Sequence, residues 1–148
     1  MSDPTPALGL ERVGTHDYLA RNDRGAQLRV STPGTAGAFA PGELLQLALA
    51  ACASLSADHT LARRLGSDFL AKVSVYATKV GVDGSAHDDV NRYDAIRATI
   101  AADMSALSAE ESAALVARAQ RAIEHLCTVG HTLDSGAVRS IEIVPVGP

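Results

Sequence analysis

The sequence has no tryptophan, and its two phenylalanines and three tyrosines make up 3% of 148 residues. That leaves few ring platforms on which the bases of a single strand could stack. It also requires a core built from aliphatic side chains and alanine. Cysteine is equally scarce, at two residues, which excludes the disulfide scaffold of a small secreted domain. Neither charge sign dominates: 13 Lys+Arg against 17 Asp+Glu give −4, so there is no footprint for nucleic acid or an anionic membrane. Met1 to Leu10 contains Pro4 and Pro6 and no basic run leading into an apolar core, so it lacks a signal-peptide pattern. The longest apolar stretch, Leu44 to Leu55, is interrupted by Gln46, Cys52 and Ser54 and falls short of a bilayer span of about 20 residues. Together these absences predict a cytoplasmic chain with no nucleic-acid or membrane partner and with reduced thiols.

The remaining composition suits a folded chain. Hydrophobic residues at 47% and charged residues at 20% exclude a largely disordered polypeptide. A chain of this length is about one domain and buries roughly two-thirds of its unfolded surface, so it needs no disulfide or metal to fold. Residues 1–10 are expected to be a flexible tail, and 11–148 a single domain. From His16 to Thr32, Tyr18, Leu28 and Val30 flank the turn residues Asn22-Asp23-Arg24-Gly25, which predicts a hairpin. The Gly-, Ala- and Pro-rich stretch Pro33 to Pro41 reads as a loop.

A long helix is expected from Pro41 to Leu65. Proline costs nothing in a first helical turn, Glu43 and Arg63–Arg64 complement the two ends of the helix dipole, and Gly66 supplies a C-cap. Its first half is apolar nearly all round, the pattern of a helix buried on most sides. Alternating residues predict strands within Phe69–Val82 and Tyr93–Ala102, joined by a polar loop, Asp83 to Arg92. Ser108 and Glu111 form a capping box for a second helix ending near Leu126, with Leu115, Ala119, Ala122, Ile123 and Leu126 on one stripe. A loop, Gly130 to Gly136, and a last strand, Val138 to Val144, complete the order β-β-α-β-β-α-β, an α+β class.

The two cysteines are the residues with chemistry to offer. Cys52 lies in the apolar half of the long helix and Cys127 ends the second helix, so only the fold can bring them together. Buried free cysteines can be small hydrophobes and nothing more. A dithiol in a reducing compartment can instead be catalytic or sensing. A Cys52–His59 nucleophile pair is disfavoured, because seven helical residues rise about 10 Å. Cys52, His59, Cys127 and His131 supply enough zinc ligands on paper, but no CxxC knuckle accompanies them, so no metal or other cofactor is expected. His125 and His131 flank the second cysteine and could tune it.

Pro41-Gly42-Glu43-Leu44-Leu45-Gln46-Leu47-Ala48-Leu49-Ala50-Ala51-Cys52 resembles the signature of the OsmC/Ohr family, as does the Gly-rich lead-in Gly34 to Ala40. Cys127-Thr128-Val129-Gly130-His131-Thr132-Leu133 resembles the family's second-cysteine segment. The resemblance implies an intertwined α+β homodimer around a long buried central helix from each subunit. It implies reduction of organic hydroperoxides, with Cys52 at the attacking and Cys127 at the resolving position, and an external dithiol as reductant. It further implies a cation beside Cys52 from the N-terminal hairpin, with Arg24 as first candidate and Arg21 and Arg29 nearby, held by an early helix glutamate, here Glu43. The alternative is a non-enzymatic dimer of the same fold binding a small apolar ligand at its interface. Three features depart from the pattern. Gly42 stands where the glutamate of the best-characterised branch directly follows the proline, no hairpin arginine lies in the Gly-Gly-Arg context, and Thr128 replaces the usual proline.

Overall fold

The computed structural model describes residues 7–80 and 91–147. Their element order is β1 (Leu8–Gly14), β2 (Asp17–Asn22), β3 (Gln27–Ser31), α1 (Pro41–Leu65), β4 (Ala71–Val80), β5 (Arg92–Ala102), α2 (Ala109–Leu126) and α3 (Thr128–Ser135). The chain divides into two compact units. One holds the described residues of Met1–Ala48 and Val75–Arg97, the other those of Leu49–Ser74 and Ala98–Pro148. The class is α+β, as expected.

In the first unit, β1, β2 and β3 form an antiparallel sheet in that order, with Leu10 opposite Ala20 and Tyr18 opposite Val30. The expected turn joins β2 to β3: Asn22 Oδ1 accepts the N–H groups of Arg24 and Ala26 at 3.0 and 2.9 Å, and Gly25 takes a positive φ of 91°. Local side-chain acceptors of this kind and a glycine free to adopt φ > 0 are what a tight hairpin requires. Arg29 on β3 grips Asp17 with two hydrogen bonds of 2.9 and 3.0 Å and donates a third to the Ala36 carbonyl at 3.0 Å. It thereby ties the glycine-rich lead-in to the sheet.

α1 begins as its sequence dictates. Pro41 occupies the first helical position, and Glu43 reaches back so that its Oε2 accepts the Ala40 N–H at 2.8 Å. Gly66, at φ 101°, closes the helix by donating to the Ala62 carbonyl at 2.8 Å. Gly42 has a separate reason to lack a side chain. A Cβ there would lie 2.9 Å from Cζ of Tyr93 and 3.2 Å from its Cε2, and closer still to the hydroxyl. The Tyr93 ring therefore fills the space that any side chain at residue 42 would need.

The core of the second unit is the α1–α2 contact. Ala57 and Leu61 of α1 pack on Leu115 and Ala119 of α2, with Phe69, Met104, Leu107 and Ile123 around them. Leu115 is 0% exposed, and the alanines let the helices approach closely. The capping box forms as read from the sequence: Glu111 N–H donates to Ser108 Oγ at 3.1 Å and Ser108 N–H to Glu111 Oε2 at 2.9 Å. By length and a mean hydropathy of 1.2 over 18 residues, α1 meets the requirement for crossing a bilayer, which Leu44–Leu55 alone does not. Its stripe Ala50, Ala53, Ala57 and Leu61 is nonetheless buried inside protein.

Four expectations are corrected. A strand, β1, precedes the hairpin, so a tail drawn to residue 10 runs into paired backbone at Leu8. Gly130–Gly136 is not a loop, because α3 runs through it. Val138–Val144 is not in a strand: no pairing partner is present for it among the described residues, and a strand exists only when its backbone is paired. α1 is not buried on most sides within one chain, since Leu45, Leu47 and Leu55 are exposed. The expected loop Asp83 to Arg92 lies almost wholly outside the described residues.

Gly42→Ala should destabilise the fold by about 1–3 kcal/mol in urea unfolding, despite alanine's better helix propensity. In a Tyr93→Ala background the same substitution should cost markedly less, because the obstructing ring is gone.

Candidate functional site

The two cysteines, 75 positions apart, meet within the second unit. α1 carries Cys52 in a half-buried position, while Cys127 is 3% exposed. Cys127 holds two caps at once. As C-cap of α2 its N–H donates to the Ile123 carbonyl at 2.9 Å, and as N-cap of α3 its Sγ accepts the Gly130 N–H at 3.4 Å. This junction points the first amides of α3 at the sulfur on α1.

Cys52 is accordingly held below the usual thiol range. The largest cause is the N–H of Val129 donating to its sulfur, joined by the Cys127 thiol, the Thr128 N–H and the Ser56 hydroxyl, against the opposing effect of burial. The Ser56 hydrogen is mainly committed elsewhere, to the Cys52 carbonyl at 2.7 Å. Cys127 moves the other way: burial pushes it up, and a negative charge on Cys52 adds to the rise. Cys52 is thus the more easily ionised of the two thiols, the order that suits a nucleophile and a second, resolving thiol. Both cysteines are free thiols.

Thr128 bears on this directly. Its backbone N–H is one of the donors to Cys52, and a proline in its place would have none to give. α3 itself went unread in the sequence because Gly130 and Gly136 suggested a loop. The available signals were Cys127 as an N-cap with an accepting sulfur and Gly136, at φ 68°, as the stop.

The other site candidates are placed as follows. Arg24 is in the β2–β3 turn, 3.0 Å from Asp23, with its side chain largely in solvent. Arg21 lies 4.0 Å from Glu11, and Arg29 is locked on Asp17. Glu43 serves the start of α1. His131 is engaged at the α2–α3 junction, its Nε2 2.6 Å from the Glu124 carbonyl. Among the described residues, no three His, Cys, Asp or Glu side chains are grouped to hold a metal.

An apolar cavity of about 470 Å³, whose lining includes neither cysteine, is walled by α1, β5 and α2. Leu49 and Ile123, three and four residues before the two cysteines on their helices, belong to its lining with Ala53, Ile100 and Val116. Its size is that of a small-ligand pocket.

The profile of the OsmC-like protein family matches residues 34–142. Uncharacterised proteins of Mycobacterium tuberculosis and Mycobacterium bovis are 44% identical over 140 residues, covering 95% of this chain and 97% of theirs. Among solved structures, an osmotic stress induced and detoxification response protein from Psychrobacter arcticus aligns at a TM-score of 0.63 and 18% identity, covering 88% of this chain and 90% of its own. A hypothetical protein from Aquifex aeolicus aligns at 0.60 and 14%, covering 87% and 86%. At these identities the structures share the fold.

Alkylation by iodoacetamide should show Cys52 titrating below the ordinary thiol value of about 8.5 and Cys127 above it. Thr128→Pro is tolerated at a first helical position and removes only an N–H. It should raise the Cys52 midpoint, since losing a donor disfavours the thiolate.

Proposed function

We propose that this chain, which belongs to the OsmC-like protein family, reduces organic hydroperoxides with its two cysteines and an external dithiol. The observation that carries the reading is the close pairing of the two thiols at the α2–α3 junction, with Cys52 held below and Cys127 above the usual thiol range. The Cys52 thiolate attacks the distal oxygen of R–O–O–H. The O–O bond breaks, the alkoxide takes up a proton and leaves as alcohol, and Cys52 becomes a sulfenic acid. Cys127, as thiolate, then attacks that sulfur; hydroxide leaves and is protonated to water, and a disulfide forms. The dithiol returns two electrons and two protons by exchange through a mixed disulfide. The apolar cavity favours an alkyl or aryl group on the peroxide over strongly hydrated hydrogen peroxide.

Arg24 and Glu43 enter this reading as the cation and its holding acid, on the strength of family resemblance. Arg24→Gln should lower the peroxide rate if that role is correct. The same cavity gives support to the second reading, a non-enzymatic protein that binds a small apolar ligand. Cumene hydroperoxide separates the two. Cys52→Ser should abolish its consumption, and Cys127→Ser should stop turnover while one thiol equivalent still oxidises. Full activity in Cys52→Ser would end the peroxidase reading, and an unreactive wild-type thiol would favour the binder.

The active form in this reading is a cytoplasmic homodimer. Leu55 of α1 is 76% exposed, and Val138, Ile141, Ile143 and Val146 after α3 are exposed as well. Apolar surface on this scale marks a contact surface. A second copy covering α1 accounts for a helix that is apolar nearly all round. Light scattering should give about twice 15.3 kDa, and Leu55→Asp should shift the population toward the single chain.

A further inference from the structure

On the α1–α2 pair of the second unit, a cleft of about 630 Å³ is lined by His59, Thr60, Arg63, Arg64, Arg118 and Arg121. Every lining side chain is polar, and four are guanidiniums, on a chain whose net charge is −4. Such a concentration is unfavourable by self-repulsion unless something negative offsets it.

The helices themselves offset little of it. Arg64 pairs with Glu111 at 3.2 Å, and Arg63, Arg118 and Arg121 have no ion pair among the described residues. A carboxylate four residues away is missing for all three. Those positions hold His59 and Ser67 for Arg63, Ala114 and Ala122 for Arg118, and Ala117 and His125 for Arg121. Glu124, three residues after Arg121, makes no ion pair with it among the described residues. Arg63 and Arg64 complement the negative end of α1, but Arg118 and Arg121 sit inside α2, away from either end. A solvated surface stripe would scatter these arginines, whereas here they converge from two helices on one hollow.

We propose that this cleft binds a ligand carrying two or more phosphate groups, at a site separate from the cysteine pair. The guanidinium fork matches phosphate oxygens two at a time. The hollow has room for more than one such group. His59 and Thr60 supply further hydrogen-bonding groups at the α1 side.

Inorganic pyrophosphate, titrated calorimetrically into the full chain at low salt, should bind saturably and weaken as salt rises. The double variant Arg118→Gln/Arg121→Gln should bind about ten-fold or more weakly. Arg139→Gln, which removes an equal charge outside the cleft, should bind within about two-fold of wild type. Thermal melts of each variant check that it is folded, and should Arg118→Gln/Arg121→Gln fail to fold, Arg63→Gln alone replaces it. Sedimentation with phosphatidylglycerol vesicles, compared with phosphatidylcholine, distinguishes sources. Pyrophosphate binding without vesicle capture assigns a soluble phosphorylated compound; capture lost in the double variant assigns a lipid headgroup. No saturable binding of either probe, or equal weakening by Arg139→Gln, overturns the proposal.

Discussion

The environment of the two thiols depends on where one short helix begins. α3 starts at Thr128, directly after the residue that ends α2, and its leading amides face the sulfur of Cys52. Unsatisfied N–H groups at a helix start are fixed dipoles, and they stabilise a thiolate without the desolvation cost that a buried guanidinium would bring. The two thiols diverge because burial raises Cys127 most, with its hydrogen bond to Cys52 and the Cys52 charge adding to the rise.

Cys127 links structure to chemistry. A residue that ends one helix and caps the next has its backbone fixed from both sides, and its sulfur is restrained by the Gly130 N–H. A Cβ on residue 130 would lie 3.3 Å from that sulfur and 3.9 Å from Leu49, so glycine keeps the junction open. The α1–α2 core then holds the junction against α1. Leu115, at its centre, has no exposed surface, and truncating such a leucine costs about 2–5 kcal/mol. Mechanical support and thiol placement therefore depend on the same contacts.

Much of this was legible in the sequence because it is written in local terms. Pro41, Glu43 and Gly66 mark the ends of α1, and Ser108 with Glu111 marks the start of α2, through hydrogen bonds within a few residues. The candidate cysteines were also legible, as was the departure at Gly42. What could not be read was non-local. β1 is a strand because β2 pairs with it, and Leu8–Gly14 alternates too weakly to announce itself. The ring that excludes a side chain at Gly42 comes from Tyr93, 51 positions away. α3 was hidden by its glycines, whose low helix propensity was overridden by capping at both ends.

The C-terminal segment shows the opposite failure. Val138 to Val144 has the composition of a strand and finds no pairing partner among the described residues, with Ile143 97% exposed. β-branched residues favour strands by packing across a sheet, so their preference is conditional on a neighbouring strand. Leaving several such side chains in water forfeits roughly 1.5–3 kcal/mol each, a loss too large to be incidental in a fold whose total margin is about 5–15 kcal/mol. The same reasoning applies to Leu55 on α1. A helix apolar on both faces and a strand-like tail without a sheet are two forms of one deficit. In the proposed dimer, both are met when the second copy presents its helix to the one and a sheet edge to the other.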